Sequence, residues 1–222
     1  KTPGQHGYVI GQQGEGHLRI IPNGLKGKYT DEDKDGIKRD VKTLAEIWYN
    51  SMGFKPDAED AKKAEYKNDF IENSLGRDDE GKFLSYERSK FRIQYKICDE
   101  QNETVGFLEA RLVGIVRDYD LIGAQCMIKT FVNREHQGTG KKKEAIKKFI
   151  NFCEENKEDG EIVRYFFSVN DENRQDVAML EGIFQDLGAG FSLQDSEVIS
   201  TSGELFHSYT LEKIQNPDYY EV

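Results

Sequence analysis

The chain is short of the residues that staple a fold or anchor it in a bilayer. Its three cysteines, Cys98, Cys126 and Cys153, are odd in number and lack CxxC spacing. That argues against a disulfide framework and a cysteine-based zinc site, and it fits a reducing compartment such as the cytoplasm. No apolar run approaches the roughly 18 residues a membrane helix needs, so no membrane partner is expected. Positive charge is in deficit: 31 Lys+Arg stand against 41 Asp+Glu, a net charge of −10. Nucleic acid is a poor partner for such a surface, because its phosphates meet net repulsion. The histidines His6, His17, His136 and His207 are scattered without metal-ligand spacing, and no metal site is expected. The chain opens on Lys1 rather than Met, as a fragment or a processed product would.

What is present suffices for a core. Hydrophobic residues make up 36% and aromatics 11% of 222 residues, enough apolar surface to offset the entropy of ordering the chain. Residues 1–16 are rich in Gly and Gln and read as a flexible tail with one short extended piece. His17–Pro22 reads as a strand. Apolar residues at helical spacing predict helices over about 40–53 and 57–75. Three strands follow: Phe91–Ile97, which alternates apolar with polar as a half-buried strand does, Val105–Val116 and Leu121–Val132. Beyond them come a helix over Gly140–Asn156, a more apolar central strand over Ile162–Val169 and a helix over Arg174–Leu187. Strands over Phe191–Ser200 and Leu205–Ile214 close the chain. The order β-αα-βββ-α-β-α-ββ implies a single α/β (α+β) domain over 17–215, with a mixed, mostly antiparallel sheet flanked by helices and a tail at 216–222.

The most informative stretch runs from Phe131 to Lys143 (FVNREHQGTGKKK). A strand ends, a loop with two glycines follows, and a basic helix begins. Such a junction cradles anions, because the amides of a first helical turn converge and the helix dipole favours negative charge there. Gly138 and Gly140 let a phosphate approach the backbone. Lys141, Lys142, Lys143, Lys147 and Lys148 concentrate positive charge in an acidic chain. A Walker A loop is excluded by Glu135 and Lys142, and a dinucleotide fingerprint by Lys143 at its third glycine.

The element order, together with Val132, Gln137, Gly138, Thr139 and Gly140 between strand and helix, resembles the GNAT (N-acetyltransferase) superfamily. The resemblance implies acetyl-CoA as co-substrate. Its pyrophosphate would lie on the amides of Gln137, Gly138, Thr139, Gly140, Lys141 and Lys142, and its pantetheine arm along the strand end at Phe131 and Val132. Asn173, in the segment Ser168–Asn173, takes the place of an Asn common in the family. Phe184 stands where many members carry a Tyr acid, and Cys126 where some carry a base Glu.

Acyl transfer from a thioester to an amine needs a polarised carbonyl, a neutral amine and alignment of the two. Glu109 is the carboxylate candidate for base, a charge in an otherwise apolar strand; an ion pair with Arg111 is its structural alternative. Cys126 is a candidate nucleophile, with packing as its alternative. Tyr119, Tyr165 and Tyr209 each offer an acid. The expected activity is direct acetyl transfer to a primary amine on a small molecule, peptide or protein lysine. A cationic acceptor is mildly favoured, and a homodimer is compatible. A non-catalytic CoA-binding module is the alternative. A calcium-responsive protein is a further one, since Asp31-Glu-Asp33-Lys-Asp35-Gly36 matches half of an EF-hand loop but places Lys42 at its twelfth position.

Overall fold

The computed structural model describes residues 9–12, 16–21, 31–51, 60–75, 92–118, 121–158, 161–170, 174–199, 203 and 205–214. Its elements run β1 (Val9–Ile10), β2 (His17–Ile21), α1 (Asp31–Ser51), α2 (Asp60–Leu75), β3 (Arg92–Cys98), β4 (Thr104–Asp118), β5 (Leu121–Val132), α3 (Lys141–Asn156), β6 (Ile162–Asn170), α4 (Arg174–Leu187), β7 (Phe191–Ile199) and β8 (Leu205–Lys213). The order is the one the sequence predicts, with β1 added in front. Hydrogen-bonded neighbours follow β1-β2-β3-β4-β5-β6-β8-β7. The β5–β6 pair is parallel, whereas β1–β2, β2–β3, β6–β8 and β7–β8 are antiparallel. By its internal contacts the chain divides into two compact units, residues 1–109 with 130–145 and residues 110–129 with 146–222.

In the first unit, α1 begins nine residues before the predicted start. The acidic run Asp31–Gly36 forms its first turns, so these residues are helical and do not adopt a calcium-binding loop. Their carboxylates sit at the end where the helix dipole favours negative charge. Further along, Ile37, Val41, Leu44, Ala45 and Ile47 are buried and pack with Ile21, Ile71 and Phe107. Four rings then stack in succession. Trp48 meets Phe70 at 5.3 Å between centroids, Phe70 meets Phe107 edge-on at 5.9 Å, and Phe107 stacks on Phe131 at 4.9 Å. Each such pair adds about 0.5–1.5 kcal/mol beyond its area burial.

Strand β3 departs from the half-buried pattern its alternation predicts. Gln94, Tyr95, Ile97 and Cys98 are all buried, while Ile93 is exposed. The polar side of the strand is covered, not solvated, because its polar residues meet polar partners. Lys96 Nζ pairs with Asp40 Oδ1 of α1 at 3.0 Å, and Gln94 donates to Glu109 of β4.

The second unit is organised around β6, which lies between β5 and β8. Its parallel register with β5 runs from Gly123↔Ile162 to Met127↔Phe166. Ile162, Tyr165, Phe167 and Val169 are buried, as a central strand requires. Gly123 allows the close approach: a Cβ there would come within 2.7 Å of the Ile162 Cβ. Leu180 and Ile183 form the buried stripe of α4, and Lys147 Nζ of α3 bonds Asp186 Oδ2 of α4 at 2.8 Å.

Candidate functional site

The loop between β5 and α3 is built from local hydrogen bonds. A single 3-10 turn, Arg134–His136, follows Asn133, whose amide bonds the Val105 carbonyl at 2.8 Å. The His136 amide then bonds the Asn133 carbonyl at 2.8 Å, and Gln137 leaves the turn in extended conformation. Thr139 ties the loop back on itself, its hydroxyl donating to the His136 carbonyl at 2.6 Å. Gly138 and Gly140 take φ of +76° and +81°, the left-handed region in which a side chain costs about 1–2 kcal/mol. No protein atom lies within 4 Å of where a Cβ at either position would sit. Backbone conformation, not crowding by the chain, is therefore what requires glycine here. The helical ladder of α3 opens with the Glu144 amide bonding the Gly140 carbonyl at 3.0 Å, so the amides of Lys141, Lys142 and Lys143 precede that ladder. Gln137, Gly138, Thr139 and Gly140 are all exposed. An exposed helix start with positive-φ glycines and open space beside them has the shape of an anion cradle.

The lysines divide their labour. Lys141 Nζ is engaged by Glu100 Oε1 of the β3–β4 turn, and Lys147 is engaged by Asp186. Both contribute less charge to the cradle than the sequence suggests. At the strand end, the Phe131 ring is taken up by its stack on Phe107, which leaves its main chain for a ligand. Val132 is buried, and a Cβ on Gly106 would come within 2.8 Å of its Cγ1.

Glu109 and Gln94 form the second feature. Glu109 is 6% and Gln94 2% exposed, and Gln94 Nε2 donates to Glu109 Oε2 at 3.1 Å. Of the five buried polar residues among those described, Glu109 alone is a carboxylic acid. The sequence singled out Glu109 as a charge in an apolar strand. It missed Gln94, which reads as an ordinary outward residue of an alternating strand.

Cys126 sits opposite Tyr165 in the β5–β6 register. Burial pushes its thiol up to about 11, against the milder opposing effect of a backbone hydrogen bond from Arg111. Cys153 is pushed to about 12, again mainly by burial. Thiols so shifted are almost wholly protonated near neutral pH and are weak nucleophiles. Tyr165 is fully buried and donates to Glu154 Oε1 at 2.8 Å, and burial raises its phenol well above the ordinary tyrosine value. Tyr209 is buried, with His207 stacked on it at 6.1 Å. Asn173 and Tyr119 lie outside the described residues.

A cleft of about 540 Å³ lies between α1 and α2, lined by Lys42, Lys63 and Lys67 as well as Glu46. Lys67 is held by Glu46 at 2.6 Å. This excess of lysine makes the cleft a poor seat for a cationic acceptor.

No protein-family model matches the sequence, and no curated protein matches it. Among solved structures the chain is similar to RimL, a ribosomal L7/L12 α-N-protein acetyltransferase in complex with coenzyme A. The TM-score is 0.54 at 12% identity, covering 94% of this chain and 99% of that one. A variant of the spermidine N-acetyltransferase SpeG from Vibrio cholerae overlays less closely, with a TM-score of 0.47 at 16% identity, over 93% of this chain and 97% of that one. The fold of this chain is that of the GNAT acetyltransferases.

Proposed function

We propose that the chain is an acetyl-CoA-dependent N-acetyltransferase that moves the acetyl group directly to a primary amine. The observation that carries the reading is the pair of exposed, positive-φ glycines, Gly138 and Gly140, at the start of α3 in this fold. The amides from Gln137 to Lys142 would hold the pyrophosphate, since they sit where a helix N-terminus attracts negative charge. The main chain at Phe131 and Val132 would align the pantetheine arm. Asn173 is a cofactor contact by resemblance alone. The bound co-substrate supplies a thioester carbon open to attack. The amine nitrogen bonds to that carbon, the carbon–sulfur bond breaks, and the thiolate takes up a proton from water. Glu109 takes the proton that the amine nitrogen must lose, because an alkylamine is mostly protonated at neutral pH and attacks only when neutral. The raised thiol of Cys126 favours this direct route over a covalent enzyme intermediate.

The test is release of free CoA thiol from acetyl-CoA against a panel of neutral, anionic and cationic primary amines, read beside thermal protection by CoA. Turnover with at least one amine supports the proposal. CoA protection without release above background favours the second reading, a CoA-binding module without catalysis. Phe184 and Cys126 support that reading, since they occupy the positions of the family's Tyr and Glu. Absence of both protection and release would sink the two together.

A further inference from the structure

We infer that Gln94 is a positioning residue for this reaction, its side-chain amide aiming the Glu109 carboxylate that receives the amine proton. The inference rests on the acetyltransferase reading and adds to it what holds the base in place.

The argument begins with cost. A carboxylate taken out of water must be compensated by hydrogen bonds or by an opposite charge. On β3 the fold uses each kind of partner, two residues apart on one face of the strand. Lys96 pairs with Asp40 at 3.0 Å, an ion pair that fastens β3 to α1. Gln94 meets Glu109 at 3.1 Å. The two partners have different consequences for proton transfer. A cation beside a carboxylate favours its charged form and makes it a poorer proton acceptor, whereas an amide orients the carboxylate without adding charge. The fold places the ion pair where only fastening is needed and the neutral donor at its buried acid.

Geometry supports the same division. Gln94 and Glu109 are both buried, come from neighbouring strands and are 15 residues apart in sequence. Strand backbone fixes both Cα positions, so the bond selects one rotamer of Glu109 and leaves its other oxygen, Oε1, to face a proton. A base held this way needs little reorganisation at the moment of transfer, where misplacement by about 1 Å can cost 10²-fold in rate. In each turnover Glu109 takes one proton from the amine nitrogen and returns it to water, so the pair ends as it began.

The test uses two substitutions in the full chain. Gln94→Met keeps the side chain's length and removes its donor. The expected result is a fall of about ten-fold or more in kcat, with KM for acetyl-CoA within two-fold of wild type. Gln94→Glu sets a second carboxylate against the first, and like charges so close raise the pH at which the base is free. The acidic limb of its pH–rate profile should move upward by about one unit or more. A role confined to packing would change the melting temperature and the folded fraction but leave that limb in place. If Gln94→Met does not fold, the limb of Gln94→Glu decides. A wild-type chain with no thiol release on any amine defeats the acetyltransferase reading, and the inference with it. An active wild type whose Gln94→Met variant keeps kcat within two-fold, or whose Glu109→Gln variant remains fully active, overturns the role of Gln94 alone.

Discussion

The loop at Gln137–Gly140 and the Gln94–Glu109 pair are the two chemically suggestive places in the first unit, and they are made in opposite ways. The loop is exposed and local. Its shape follows from two glycines at φ of +76° and +81° and from bonds that span three or four residues. The pair is buried and assembled from separate strands. A local feature can be altered by changing backbone freedom while the core stands. A buried pair cannot be altered without also changing what the core must compensate.

The largest effect should come from the buried side. Glu109→Gln removes the proposed base while keeping its shape, and kcat should fall about 10²–10⁴-fold, the range for loss of general acid–base catalysis. Thermal protection by CoA should persist, because the cradle is untouched. Loss of CoA protection in a folded variant would show that the two places are not separable.

Next come two glycine substitutions that differ in kind. Gly106→Ala keeps an ordinary strand conformation but drives a Cβ onto the Phe131 carbonyl oxygen and to 2.8 Å from Val132 Cγ1. It should cost about 1–3 kcal/mol of stability, read by denaturant melts. Gly140→Ala meets no neighbour within 4 Å, and its cost of about 1–2 kcal/mol arises from the left-handed backbone alone. That cost should appear mainly as weaker CoA binding, by roughly ten-fold, since the exposed loop can relax when no ligand holds it. Equal effects of both variants on stability, with CoA affinity unchanged in Gly140→Ala, would break the contrast between a spatial and a conformational glycine.

The same contrast explains how far the sequence could be read. The loop was legible because its signals are contiguous: a strand end, Gly-x-Gly and a basic amphipathic helix. Helix Arg174–Leu187 was legible to the residue for the same reason. The start of α1 was not, because Asp31–Gly36 carries no apolar stripe and resembles half of a calcium loop. Only the helix that continues from it shows that these carboxylates occupy a dipole-favoured end. Gln94 was hidden for a different reason. Alternation marks a polar face, but only tertiary structure decides whether water or another chain segment covers it. Here α1 and Glu109 meet that face, through Asp40 and the Gln94 bond.

A smaller effect is expected where charge is already engaged. Lys141 is bound by Glu100, whose side chain is 45% exposed, and such pairs contribute about 0–1 kcal/mol. Lys141→Ala should weaken CoA binding by less than about five-fold, which isothermal titration at low salt can resolve.

The smallest effect on activity should come from Cys126→Ala. With its thiol pushed up to about 11, only about one molecule in 10⁴ carries the thiolate at pH 7, the form that acts as a nucleophile. Direct transfer assigns this residue no bond-making step, so kcat should stay within about two-fold of wild type, and iodoacetamide should modify the native chain slowly at neutral pH. The buried Glu109 and the buried Cys126 thus make opposed predictions from similar surroundings. Glu109 has a polar donor at 3.1 Å, while Cys126 is governed by desolvation. A large loss of kcat in a folded Cys126→Ala variant, together with rapid alkylation that acetyl-CoA blocks, would reverse that assignment and move the chemistry to an acyl-thioester on the enzyme.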